Sequence, residues 1–501
     1  MVERVAVIGA GIGGLCTALA LAPTGREITL YERDPPPPEG GPEEAFDHWG
    51  RRGVGHLRHS HGFLARLRGI FAREHPKLLA ELADAGVREI SFADSLPEPL
   101  RSTYSPRPGD DDLAAFVARR TTVELVMRAY VERQPNVALR SGVFVKRPII
   151  ERVDEQLVAK GLAIEEDGQE HEVLVDLVVD SGGRNSIAID ALCQAGARIV
   201  EEGEDCAILY YTRFYRFRDG QDEPPRSPHG GTGDLGYLKF GVFRADNHTF
   251  SVTIAVPEVE QTLRTAVLHP EVFESICQAL PGVAPWTDPA RSEPITKVLG
   301  MGDLMSRWRE FAPDGKASVL GLLPIGDAMV RTNPLYGRGC SFAAVEAHIL
   351  RDVIEATADP AERLVRYSAE VKAALRPFYD DMAAQDRAAA ARALRGLDPN
   401  RRASWTHKLG ASFVRDGLTV AVRSDPDLLR QALRSFHMLE LPMKLQSQPM
   451  TLVKGLAAWS RGRAANAAFQ PPRAGPDRAE MFARLSLSTT ADFERVRSLA
   501  A

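Results

Sequence analysis

Residues 5–33, VAVIGAGIGGLCTALALAPTGREITLYER, constrain what this chain can fold into more than any other stretch. The apolar run Val5 to Ile8 is short and continuous, as a strand buried on both faces should be. It runs directly into Gly9, Gly11 and Gly14 in the spacing G-x-G-x-x-G. From Ile12 and Gly13 to about Ala22 the residues are small or apolar helix formers, stopped by Pro23, Thr24 and Gly25. A second apolar strand, Ile28 to Tyr31, then ends on Glu32 and Arg33.

The chemistry accounts for those residue types. Gly9 permits a tight turn out of the strand, Gly11 lets the backbone approach a pyrophosphate, and Gly14 allows close helix-to-strand packing. The free N–H groups and dipole at the helix start hold negative charge. Glu32 is placed to accept hydrogen bonds from an adenosine ribose, and its charge repels a 2′-phosphate. The expected nucleotide is FAD or NAD, not NADP.

A chain of 501 residues has room for two to four domain-sized units. Its net charge of −5 gives no basic excess of the kind a nucleic-acid binder carries. No run approaches the ~20 apolar residues of a membrane span. The opening MVERVAVIGAG enters the first strand directly, so no signal peptide and a cytoplasmic location are expected. Cys16, Cys193, Cys206, Cys277 and Cys340 are dispersed and read as reduced thiols.

After a proline-rich loop, the stretch GHLRHSHG carries His56, His59 and His61. Spacings of three and two match no single helix face and no acid or Cys ligand is near, so ligand-lining or helix-capping histidines are expected rather than a metal site. Residues 65–86 predict two helices broken at Pro76, and residues 122–133 a further helix just after Arg120, followed by a strand to Val145. A second buried strand, Leu174 to Val179, leads into DSGGRNS, and small residues at a strand's carboxyl end suit a ligand crevice. From Glu201 to Pro257 aromatic and β-branched residues alternate, as in an antiparallel sheet with one covered face. There Tyr210, Tyr211, Arg213 and Tyr215 either line a pocket or pack the sheet, packing being favoured. A third strand, Val319 to Leu323, reaches Gly326-Asp327 and a loop with Pro334, Tyr336, Gly337 and Gly339 that opens another helix. Beyond Ala358 the chain is helix-compatible, with a loosely attached tail.

These three separated motifs, in this order, resemble the flavoprotein monooxygenase family with the glutathione-reductase-type FAD fold, which includes para-hydroxybenzoate hydroxylase, squalene epoxidase and the flavin-dependent halogenases. The resemblance spans about residues 1–355. It implies an α/β fold in which residues 1–186 and 318–358 form the FAD-binding domain, 187–317 an inserted β-sheet substrate domain, and 359–501 a helical C-terminal region. By the same resemblance Gly9, Gly11, Ile12, Gly13 and Gly14 hold the FAD pyrophosphate and Glu32 the ribose, with Arg33 beside the adenosine. Arg120 touches FAD, Val145 meets the adenine through its backbone, Asp327 holds the ribityl chain, and the backbone at Gly337 and Gly339 approaches the flavin ring. His59, His61, Tyr211, Arg213 and Tyr336 are the candidate substrate-pocket residues.

Two departures qualify the family pattern. Gly182-Gly183 stands where the single-component hydroxylases have Asp-Gly, which puts direct NADPH use in doubt. The halogenases' W-x-W-x-I-P is absent, all five tryptophans being isolated. The implied reaction is hydroxylation or epoxidation of a hydrophobic or aromatic small molecule by O2 through a flavin C4a-hydroperoxide. Electrons would come from NADH or NADPH, directly or through a partner flavin reductase. An FAD-dependent reductase of a lipid-like substrate is the alternative, followed by a halogenase and by a nucleotide-binding protein without catalysis.

Overall fold

A computed structural model describes residues 2–402, 404–442 and 448–500. Its centre is a parallel five-stranded sheet in the order Leu322–Pro324, Leu177–Asp180, Arg4–Ile8, Glu27–Glu32, Val137–Ser141. The order brings three strands far apart in sequence side by side, with Val7 opposite both Val179 and Leu30, and Val179 opposite Leu323. These residues are fully buried, which explains why the strands read as unbroken apolar runs.

The helices Ile12–Leu21 and Gly339–Ala356 contribute Leu15, Leu19, Phe342 and Leu350 to the core of that sheet. An antiparallel sheet, Phe144–Val153, Gln156–Glu166 and Gln169–Leu174, adds Leu162 and Ile164 to the same core. Left-handed Gly142 separates Val137–Ser141 from Phe144–Val153, so the single strand expected up to Val145 is two. The two helices expected around Pro76 are Ala65–Glu74 and Pro76–Asp84. Proline occupies the first position of the second, where no backbone donor is lost.

A second sheet is antiparallel, in the order Thr232–Asp234, Lys239–Arg244, Thr249–Pro257, Ile208–Phe217, Ser292–Pro294, with Leu299–Met301 also paired to Ile208–Phe217. One face packs Tyr211, Tyr215, Phe250, Val252 and Ile254 against Leu263, Phe273 and Ile276 of the following helices. Met481 and Phe482, from the far carboxyl-terminal part of the chain, complete that core. The tail is thus docked, held also by Arg478 donating to Glu260 and by Asp492 accepting from Thr262 N. At the other boundary, the helix Ile187–Gln194 packs Ile189 and Leu192 into the core of the parallel sheet, not into the insert.

The 38-residue helix Pro360–Leu397 buries Leu364, Tyr367, Val371, Leu375 and Phe378 in the nucleotide-fold core. Tyr367 Oη donates to the Pro324 carbonyl at 2.7 Å, fixing this helix to the end of the edge strand Leu322–Pro324. Among the described residues no helix is long and apolar enough to cross a membrane.

Candidate active site

Each fingerprint glycine answers a different constraint. Gly9 has φ +89° and donates to the Tyr31 carbonyl at 2.8 Å, tying the turn out of the first strand to the end of the second. A Cβ on Gly14 would lie 2.0 Å from the Gly9 carbonyl oxygen, so a side chain there would part helix from strand. A Cβ on Gly11 would meet nothing within 4 Å. Its backbone faces open space at a helix N-terminus that has no side-chain cap, which is the cradle a pyrophosphate requires.

Glu32 is buried at the end of its strand. One carboxylate oxygen accepts from Ala10 N at 2.8 Å and the other from Asp34 N at 2.9 Å. Arg51 adds an ion pair at 3.0 Å, and the same guanidinium reaches Glu124 at 2.7 Å and Asp34 at 3.4 Å. Glu124 in turn pairs with Arg120 at 2.6 Å. This buried chain of two guanidiniums and three carboxylates locks the glycine turn, the acid and the start of the Arg120–Glu132 helix into one rigid unit.

Asp327 follows the edge strand Leu322–Pro324 of the parallel sheet. Its carboxylate has no hydrogen-bond partner among the described residues, and burial raises its pKa despite Arg331, Arg120, Arg307 and Arg184 nearby. A carboxylate held in such surroundings without a donor is an acceptor waiting for a ligand hydroxyl. The loop beyond it turns at Gly337, φ +63°, and enters the helix Gly339–Ala356. Within that helix Glu346 accepts from Gly326 N, and burial pushes its pKa up to about 8.

The fingerprint and the aspartate loop open on one cavity of about 1190 Å3. Gly9, Gly11, Ile12, Gly13, Glu32, Arg33, Arg120, Val145, Asp327, Gly337 and Gly339 all line it, whereas Gly14 serves packing alone. The volume exceeds the roughly 300–1,000 Å3 of an ordinary small-ligand site, and the cavity continues beyond the nucleotide cradle under the antiparallel sheet.

That far part is walled by hydroxyls and histidines. His59 Nδ1 lies 3.0 Å from Thr212 Oγ1, Thr212 is 2.8 Å from Thr253 Oγ1, and Ser60 Oγ is 2.7 Å from Thr253 and 2.6 Å from Ser251. His61 Nδ1–H donates to the His59 carbonyl at 2.9 Å, leaving its Nε2 lone pair 3.5 Å from Arg120 Nη1. Arg120 Nη1 also donates to His56 Nε2. Burial lowers the pKa of His59 to about 4 and, with Arg120, that of His61 to about 3 and that of His56 well below its ordinary value. The three imidazoles are therefore neutral at pH 7. Tyr336 lines the same cavity and donates to Asp386 at 2.9 Å. Asp386 also accepts from Asn333, which accepts from Tyr210, so the long helix braces the glycine loop.

Two candidates are corrected. Tyr211 and Arg213 project from the opposite face of the Ile208–Phe217 strand, Tyr211 into the helix-covered core and Arg213 onto Glu274 at 2.8 Å. Their strand neighbours Tyr210 and Thr212 face the cavity instead, since successive side chains alternate. Sequence reasoning also missed Arg51, the hydroxyl cluster, and Leu433, Phe436 and His437, which reach the cavity from the carboxyl-terminal helices. Asp180 of DSGGRNS is fully buried, accepting from Gly182 N and Ser186 Oγ, and has no reach to a ligand.

A glycine turn at a helix N-terminus, a buried acid and a distant aspartate loop thus border one cavity. Residues 4–145 match the model of the family described as FAD dependent oxidoreductase. A relative, Protein Rv3254 of Mycobacterium tuberculosis, is 27% identical over 369 residues, covering 71% of this chain and 73% of its own. The fold is that of p-nitrophenol 4-monooxygenase PnpA from Pseudomonas putida (TM-score 0.57, 15% identity, 88% of this chain and 99% of that one). It is shared with the myxobacterial chondrochloren halogenase CndH (TM-score 0.56, 18% identity, 87% and 97%).

Proposed function

We propose that the chain is an FAD-dependent monooxygenase that hydroxylates or epoxidises a hydrophobic or aromatic small molecule. The observation that carries this reading is the single cavity: the nucleotide cradle and the Asp327 loop border one volume that runs on into a second, hydroxyl- and histidine-walled compartment. In this reading the N–H groups beyond Gly11 take the pyrophosphate, Glu32 accepts from the ribose with Arg33 beside the adenosine, and Val145 meets the adenine through its backbone. Arg120 contacts the cofactor, and Asp327 accepts from the ribityl chain. Gly337 and Gly339 bring backbone against the ring, where the start of the Gly339–Ala356 helix stabilises negative charge.

When bound, FAD supplies the activation of molecular oxygen, chemistry that no side chain can perform. The protein's task is then to orient the substrate and keep water out. Neutral His59 and the Ser60, Thr212 and Thr253 hydroxyls offer a hydrogen-bonded path along which a substrate hydroxyl proton can be held or passed. Electrons come from NADH or NADPH, directly or through a flavin reductase, and Gly182-Gly183 in place of Asp-Gly favours the second route. Purified protein tests the reading. A flavin absorption spectrum and substrate-dependent O2 consumption with reduced flavin are expected. Product formed at full rate without oxygen would overturn it in favour of reduction.

A further inference from the structure

The residues from Trp405 to Ser424 form a continuous helical run, which packs on the helix Pro449–Ala465. The packing is close and uses up the inner faces: a Cβ on Gly417 would lie 2.8 Å from the Gly455 carbonyl, and Phe413 meets Trp459 edge-on at 5.8 Å. Among the polar residues on the outside stand several large apolar ones. Trp405 is 73% exposed, Met450 63% and Val453 60%, with Leu409, Val414 and Leu456 also exposed. Isolated exposed hydrophobics need no explanation, but a concentration of them on one helical pair does.

Charge decides what covers them. Residues 401–463 hold eleven Lys or Arg against four Asp or Glu, a balance of +7 within a chain whose total is −5. Arg401, Arg402 and Lys408, which bracket Trp405, have no side-chain partner among the described residues, nor does Arg461 near the end of the second helix. A second copy of this segment would bring like charges together. An anionic lipid surface complements them, and exposed Trp and aliphatic side chains beside Lys and Arg are the composition of helices that lie in a bilayer interface without crossing it. We propose that the helical run Trp405–Ser424 and the helix Pro449–Ala465, with Arg401 and Arg402, are a docking surface for an anionic membrane, bound flat at the headgroup level. The adjoining helix Pro426–Phe436 carries Leu433 and Phe436, which line the cavity, so one wall of the cavity adjoins the docking surface.

The test is co-sedimentation of the full chain with vesicles of phosphatidylcholine alone or with phosphatidylglycerol, at low and high salt. Binding to the anionic vesicles only, weakened by salt, is expected. The triple change Arg401→Gln, Arg402→Gln, Lys408→Gln should lower the partition coefficient by at least about tenfold. Trp405→Ala with Val453→Ser should do so at unchanged flavin content, which reports an intact fold. No sedimentation with either vesicle, or equal binding to both, overturns the proposal. So does concentration-dependent self-association that Trp405→Ala abolishes without vesicle binding, which would make a second copy the occupant. None of these outcomes bears on the oxygenase reading, which is tested separately.

Discussion

Substituting alanine at Gly11 and at Gly14 separates the two jobs of the fingerprint. At Gly11 the backbone (φ −77°, ψ −173°) suits any residue, and the new methyl group meets no protein atom within 4 Å. Alanine is a worse helix N-cap than glycine by several tenths of a kcal/mol, but it also restricts the unfolded chain by about 0.4–1 kcal/mol. Stability of the flavin-free protein should therefore change by less than about 0.5 kcal/mol. The methyl group does occupy the space where a pyrophosphate would touch the backbone. Loss of one charge-assisted hydrogen bond, about 1.5–3 kcal/mol, weakens FAD binding by roughly 10- to 150-fold. At Gly14 the methyl group sits 2.0 Å from the Gly9 carbonyl oxygen, so helix and strand must separate, at a cost of about 1–3 kcal/mol or more even without ligand. Urea unfolding of the apoproteins and fluorescence titration with FAD measure the two effects. If Gly11→Ala binds FAD like the parent, or loses as much apoprotein stability as Gly14→Ala, the assignment of the cradle is wrong.

Asp327→Ala should purify with at least tenfold weaker FAD binding at nearly unchanged stability, because that carboxylate has no protein partner to lose; the visible spectrum and a melting curve check both halves. Arg51→Met leaves Glu32, Asp34 and Glu124 without their shared cation and should cost about 3–5 kcal/mol in denaturant unfolding. Arg213→Gln should leave substrate KM unchanged, since its side chain pairs with Glu274 away from the cavity. The buried His59 and His61 have folded-state pKa values of about 4 and about 3, below the 6.5 of the free side chain. The unfolded state binds the extra protons, so their contribution is fully present above pH 6.5. It is lost as pH falls, by about 1.4 kcal/mol per unit and per histidine, until each folded pKa is reached. Unfolding midpoints across pH 4 to 8 should show that slope, and His59→Gln should flatten it.

The parallel sheet, the glycine turn and the Asp327 loop were legible because each rests on local chemistry: apolar runs buried on both faces, glycines at Gly9 and Gly14 where a Cβ has no room, and an acid after a strand. The far part of the cavity was legible only in part. Alternation marks residues 208–217 as a half-covered strand, but which parity faces the cavity is set by Leu263, Phe273 and Phe482, which cover the other face from distant parts of the chain. Tyr211 and Tyr210 are the same residue type one position apart, and nothing local tells them apart. Arg51 and Arg52 pose the same problem. One is buried among three carboxylates and the other is exposed, and only the folded arrangement of Glu32, Asp34 and Glu124 selects between them.

The docking of Met481 and Phe482 under the antiparallel sheet has a consequence for biosynthesis. The last strand pairing with its neighbours is in place once residue 301 has been made, yet the core beneath stays open until residue 482 follows. At about 5–20 residues per second on the ribosome, that interval lasts roughly 10–40 s. During it, Phe250, Val252 and Ile254 lack part of their cover. A nascent chain of this protein should therefore be a chaperone client late in its synthesis. Deleting the segment from Arg478 onward should yield an insoluble product with the flavin cradle itself untouched.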